Sequence, residues 1–195
     1  MTARAVMEAH LAGLLASRLD CVIFDRTDDT ASMIEYCNNL QIPIAIVRPD
    51  KLDTDFLALQ SAERFDCMGL TFNRIVSEAV IDAWNTKIFN LHLSLLPSFP
   101  GFGATRKALA AKLPETGVTV HFVDAGVDTG PIISQAKVPI LPSDDEAALG
   151  RRQFEAALPL VLQTVRTLER GEPASFEQAD PDLYEFAANF ARRSQ

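Results

Sequence analysis

The chain has 195 residues, 48% of them hydrophobic and 23% charged, with a formal net charge of -8. This length and balance suit one α/β domain with a buried core, and the acidity argues against a grip on nucleic-acid backbone, which needs a basic surface. The apolar runs are far shorter than a membrane span, and the start, Met-Thr-Ala-Arg, lacks the apolar core of a secretion signal. A cytoplasmic protein with no nucleic-acid or membrane partner is therefore expected.

Residues 3–18 read as a helix with an apolar stripe of Ala5, Val6, Ala9, Leu11, Leu14 and Leu15. "CVIF" (21–24) is a short buried strand, followed by a polar stretch through Asp29. Residues 30–40 are helical, "IPIAIV" (42–47) is a strand and 53–63 a helix. "CMGLTF" (67–72) is a strand, 76–84 a short helix and "KIFNLHL" (87–93) a strand. Short, wholly apolar strands alternating with helices predict a Rossmann-like, mostly parallel sheet with helices on both faces. After a helix at 104–112 the pattern changes. "TGVTVHFV" (116–123) and "PIISQAKVPI" (131–140), joined by a glycine-bearing loop, predict an antiparallel extension of that sheet.

Ser143-Asp144-Asp145-Glu146 reads as a capping box that opens a long helix over 144–169. Acids in a first helical turn complement the helix dipole, a simpler explanation of this triplet than a metal site. Arg170-Gly171-Glu172-Pro173 supplies the stop. The tail, 174–195, carries Tyr184, Phe186 and Phe190 and is expected to dock as a short helix. No repeat or low-complexity linker divides the chain, so residues 1–195 are expected to form a single domain. Cys21, Cys37 and Cys67 lack CxxC spacing and are read as small buried hydrophobes rather than metal ligands. No GxGxxG or Walker pattern occurs, and Gly101-Phe102-Gly103 lacks a third glycine.

Asn90, His92 and Asp128 are the candidates for chemistry. Asn90 and His92 stand two apart on one strand and so share a face, near the strand's C-terminal end, where open α/β sheets bind ligands. An amide and an imidazolium side by side are two donors for a developing oxyanion. Asp128 lies in "DAGVDTG", and a carboxylate near His92 would raise its pKa and keep it charged. The plainer alternatives are an edge amide and a satisfied structural histidine. His121 is a strand residue that either packs beneath the site or bonds Asp128. His10 reads as solvent-facing, and Ser94 as a turn residue.

"FNLHLSLLPSFPGF", "GVTVHFVDAGVDTGPIISQAKVPI" and "GLTFNRIVS" together resemble the folate-dependent formyltransferases, most closely the branch acting on glycinamide ribonucleotide. The resemblance is good over 65–170 and loose over 20–64. It implies that Asn90, His92 and Asp128 are the catalytic residues of formyl transfer from 10-formyltetrahydrofolate to a primary amine, without a metal and without a covalent enzyme intermediate. It also implies a folate pocket lined by Phe72, Asn73, Arg74, Ile75 and Val76 and by Asp124, Ala125, Gly126 and Val127, with Leu70 in its apolar wall.

Three departures from the family pattern stand out. The leading strand and its glycine-rich phosphate loop are absent, which would leave two strand edges unpaired. Phe154-Glu155-Ala156-Ala157-Leu158 replaces a Gln-x-x-Glu-His group, and Leu93 replaces a proline. The first two fall on the amine-substrate side. The expected acceptor is glycinamide ribonucleotide, in purine biosynthesis. The alternatives are another amine, such as a nucleotide-linked amino sugar, or a non-catalytic folate-binding role. The sequence leaves a homo-oligomer open.

Overall fold

The computed structural model describes residues 2–25, 30–63, 65–70, 74–84, 87–172 and 175–194. Helix α1 (Thr2–Leu11) leads into β1 (Val22–Phe24), α2 (Ala31–Asn39) and β2 (Ile44–Ile46). A 3-10 turn at Pro49–Lys51 precedes α3 (Leu52–Glu63), β3 (Met68–Leu70), α4 (Glu78–Ala83) and β4 (Ile88–His92). Then come α5 (Ala104–Ala110), β5 (Glu115–Phe122), β6 (Ile132–Pro139), α6 (Glu146–Glu169) and α7 (Pro181–Arg193).

The strands form two sheets, β1-β2 and β3-β4-β5-β6. The β1-β2 and β3-β4 pairs are parallel, and the β4-β5 and β5-β6 pairs antiparallel. The expected α/β architecture is present, with its antiparallel extension. The sheet is interrupted between β1 and β3. Alternate residues of β4 show the helices on its two faces: Ile88 packs with Phe56, Val80 and Trp84 of the α3–α4 side, whereas Phe89 packs with Ala157, Leu160 and Val161 of α6.

Three expectations at the local level need correction. The first helix ends at Leu11, short of 18, because Gly13 turns the chain at φ +73° and the Leu14 amide bonds back to the Ala9 carbonyl. Leu11 is consequently exposed, while Leu15 is buried beyond the helix. The cap of α6 is Asp145, whose carboxylate accepts the Ala148 amide at 2.7 Å, rather than Ser143. Asp144 instead pairs with Arg152, which pulls its pKa below the usual carboxylate value. His10 is half-buried rather than solvent-facing.

The tail docks as expected. Leu183, Ala187 and Phe190 recur at helical spacing and enter a cluster with Ala5, Ala9, Leu158 and Leu162. Each fully buried Leu or Phe of this kind contributes about 1.5–3 kcal/mol. Arg166, itself buried, bonds Asp180, Asp182 and the Leu14 carbonyl, which ties α7 and the turn after α1 to α6. Cys37 is fully buried, and Cys21 and Cys67 are half-buried. Burial pushes the Cys37 and Cys67 thiols up. No described helix is long and apolar enough to cross a membrane.

Candidate active site

The site forms where β4 ends. In the β4-β5 ladder Asn90 lies opposite His121 and His92 opposite Thr119. Residues opposed across a ladder share a face, so Asn90, His92, Thr119 and His121 project together. Asn90 is half-buried, and His92 and His121 are buried.

His92 is held at both nitrogens. Its Nδ1 lies 3.1 Å from Asp128 Oδ2, and its Nε2 lies 2.9 Å from the Phe99 carbonyl. Both neighbours are acceptors, so the doubly protonated ring satisfies both contacts and the neutral ring only one. Burial nonetheless holds the His92 pKa below the ordinary histidine value, with the Asp128 carboxylate and the Phe99 carbonyl pulling it part of the way back. This corrects the expectation of a raised pKa: the carboxylate acts in the expected direction, but desolvation outweighs it.

Asp128 is a meeting point. Oδ2 also accepts the Gly101 amide at 2.7 Å, and Oδ1 lies 3.5 Å from His121 Nε2. Asp128 and Phe99 both have left-handed backbone, at φ +55° and +54°. Such conformations cost non-glycine residues energy and concentrate at functional sites. Gly130 anchors the loop beneath Asp128, since a Cβ there would stand 1.9 Å from the Phe122 carbonyl oxygen.

A buried polar network fixes the turn that follows His92. Thr119 Oγ1 donates to the Ser94 carbonyl at 2.6 Å and accepts the Leu96 amide. Gln135 donates to Thr119 Oγ1 and to the Leu96 carbonyl. Ser94 donates to the Ser98 carbonyl, consistent with a turn role. From α6, Gln153 donates to the carbonyls of Leu93 (2.8 Å) and Gly117 (3.0 Å) and accepts from Thr105 (2.7 Å). Sequence reasoning missed Thr119, Gln135, Thr105 and Gln153. Nothing local in the sequence set them apart, since each acts on a turn distant along the chain.

The residues expected around folate are placed differently from one another. Phe72 and Asn73 lie outside the described residues. Arg74 forms an ion pair with Asp25 at 2.8 Å. Ile75 is exposed, whereas Val76 and Leu70 are buried in the cluster around Trp84. Asp124 accepts from the Gly126 amide and from Thr129, so it shapes its own loop. Ala125, Gly126 and Val127 are exposed, and Phe102 is a further exposed apolar group two residues beyond Pro100. Among the described residues no group of three or more His, Cys, Asp or Glu could hold a metal ion.

The chain is similar to several known proteins. A family model described as formyl transferase matches residues 23–165. The trifunctional purine biosynthetic protein adenosine-3 of Drosophila melanogaster is 46% identical over 105 residues, covering 53% of this chain; the chain spans only 8% of that protein's length. Phosphoribosylglycinamide formyltransferase of Mycobacterium tuberculosis is 35% identical over 162 residues, 75% of each chain. The crystal structure of glycinamide ribonucleotide transformylase 1 from Symbiobacterium toebii superposes with a TM-score of 0.82 at 31% identity, covering 92% of this chain and 89% of that one. With the family model spanning most of its length, the chain belongs to the formyl transferase family.

Proposed function

We propose that this chain, acting as a single domain, transfers the formyl group of 10-formyltetrahydrofolate to the primary amine of glycinamide ribonucleotide, in purine biosynthesis. The observation that carries this reading is the His92–Asp128 pair set beside Asn90 on one face of β4. The names borne by the relatives in Mycobacterium tuberculosis and Symbiobacterium toebii support the choice of acceptor.

The amine nitrogen attacks the formyl carbon, a C–N bond forms, and the carbonyl oxygen takes the negative charge. The Asn90 amide is a donor for that oxygen, and the His92 ring, held at both nitrogens by Asp128 and the Phe99 carbonyl, lends it a positive charge when protonated. In the free protein burial keeps the His92 pKa low. An oxyanion beside the ring adds a second negative neighbour and favours the charged ring at the moment it is needed. The bond from carbon to N10 then breaks. The amine gives up one proton and N10 gains one, and the Asp128 carboxylate stands where it can relay that proton through the ring or through water. The exposed Ile75, Phe102 and Val127 and the backbone of residues 124–127 offer apolar and hydrogen-bonding contacts for a pteridine ring.

The test mixes purified protein with 10-formyltetrahydrofolate and glycinamide ribonucleotide and follows release of tetrahydrofolate. Turnover is expected, with a loss of at least about 100-fold in His92→Ala. Saturable folate binding with no turnover on this amine overturns the proposal.

A further inference from the structure

The ladder registers of β4, β5 and β6 align one row of side chains. His92 lies opposite Thr119, and Thr119 opposite Gln135, so the three share a face of the sheet. Thr119 has no exposure and Gln135 is half-buried. Gln135 Nε2 donates to Thr119 Oγ1 at 2.9 Å and to the Leu96 carbonyl at 3.0 Å, which uses both hydrogens of its amide. Turning the amide over would set its oxygen against the Leu96 carbonyl oxygen, so one orientation is fixed. Thr119 Oγ1 is saturated in turn. It donates to the Ser94 carbonyl at 2.6 Å and accepts from the Leu96 amide at 3.1 Å and from Gln135.

These contacts grip the turn that follows β4 at the carbonyls of Ser94 and Leu96 and at the amide of Leu96. The turn continues through the Ser98 amide, which donates to the Leu95 carbonyl, and through Ser94 Oγ, which donates to the Ser98 carbonyl. Its next residue delivers the Phe99 carbonyl to His92 Nε2 at 2.9 Å. We propose that Gln135 is a positioning residue for formyl transfer: through Thr119 and the turn at 94–99 it holds the Phe99 carbonyl where that oxygen accepts from the protonated His92 ring. The role in transfer rests on the reading given above, whereas the hold on the ring stands on the geometry alone. The other groups that act on the ring's charge are Asp128 in the loop after β5, His121 on β5 and Lys107 on α5. Gln135 is neutral, so replacing it alters none of those charges. A hydrogen bond to the charged form favours that form, so a displaced Phe99 carbonyl must lower the His92 midpoint.

The test joins a proton NMR titration of His92 to steady-state transfer from 10-formyltetrahydrofolate to glycinamide ribonucleotide. In Gln135→Leu the His92 midpoint is expected to fall by about half a pH unit or more. Turnover (kcat) should fall about tenfold, while KM for the folate changes less than about twofold. Thr119→Val, which keeps the shape and removes the hydroxyl, should reproduce both effects, and Thr119→Ser, which returns the hydroxyl, should recover from them. The double variant Gln135→Leu/Thr119→Val should be no worse than Thr119→Val alone, because both act along one path. Ala187→Gly loosens α7, which packs on α1 and α6, and should leave the midpoint in place. An unchanged midpoint in Gln135→Leu, an equal fall in Ala187→Gly, failure of Thr119→Ser to recover, or additive effects in the double variant overturns the proposal. A parent without turnover overturns the functional reading instead, and the His92 midpoint still decides the hold on the ring. Should Thr119→Val not fold, Gln135→Leu against Thr119→Ser carries the comparison.

Discussion

Asp128→Asn isolates the electrostatic core of the site. The substitution keeps the shape of the side chain and removes one negative charge 3.1 Å from His92 Nδ1. At an effective dielectric of about 20, unit charges about 4 Å apart interact by about 4 kcal/mol. Observed shifts from one opposed charge at such range are about 1–3 pKa units, or about 1.4–4 kcal/mol. Burial already holds His92 below the ordinary histidine value and Asp128 opposes that fall. Losing the carboxylate must therefore lower the pKa further, leaving the ring neutral across the physiological range. The assay is a proton NMR titration of the three histidines, His10, His92 and His121, in both proteins. The His92 midpoint is expected below about 6.5 in the parent and at least one unit lower in the variant, with turnover falling about 100-fold or more. A His92 midpoint that stays in place or rises in Asp128→Asn refutes the reasoning.

Gln153→Leu removes three buried hydrogen bonds from a side chain with no exposure. At about 1 kcal/mol each it should cost about 3 kcal/mol in urea unfolding, and a loss under about 0.5 kcal/mol would show that the network is not coupled to stability. Gly130→Ala places a methyl group against the Phe122 carbonyl; the loop must move, and activity should fall even where circular dichroism shows an intact fold. Because the His92 pKa is depressed in the folded protein, the unfolded chain binds the extra proton first as pH drops. Stability should fall as pH decreases from about 7 through the unfolded value of about 6.5, and His92→Gln should flatten that slope in thermal melts across this window.

The parts of the fold that depend on short-range pattern were readable in the residues themselves. The apolar strands, the antiparallel return of β5 and β6, and the docking of Phe190 follow from periodicity of 2 or 3.6. The alternation of Asn90 and His92 on one strand and the glycine-bearing loop of Asp128 suggested their pairing, and the resemblance to the formyltransferases assigned it. What was not legible depends on long-range contact. The downward shift of His92 arises from the elements packed around it rather than from its sequence neighbours. Gln153 reaches Leu93 across sixty positions, and nothing local distinguishes it from a polar residue on a solvated face. His10 looked solvent-facing because the cleft beside it is built from distant strands.

One carboxylate draws three separate stretches of chain to a point. The side chain of Asp128 touches the ring at the end of β4, the amide of Gly101 in the proline-rich turn, and the second ring on β5. Releasing any one of these partners weakens the orientation of the others. The geometry of the candidate site should then assemble as a unit or be lost as a unit, and graded damage at a single contact should appear as a smaller fraction of competent molecules rather than as uniformly slower ones.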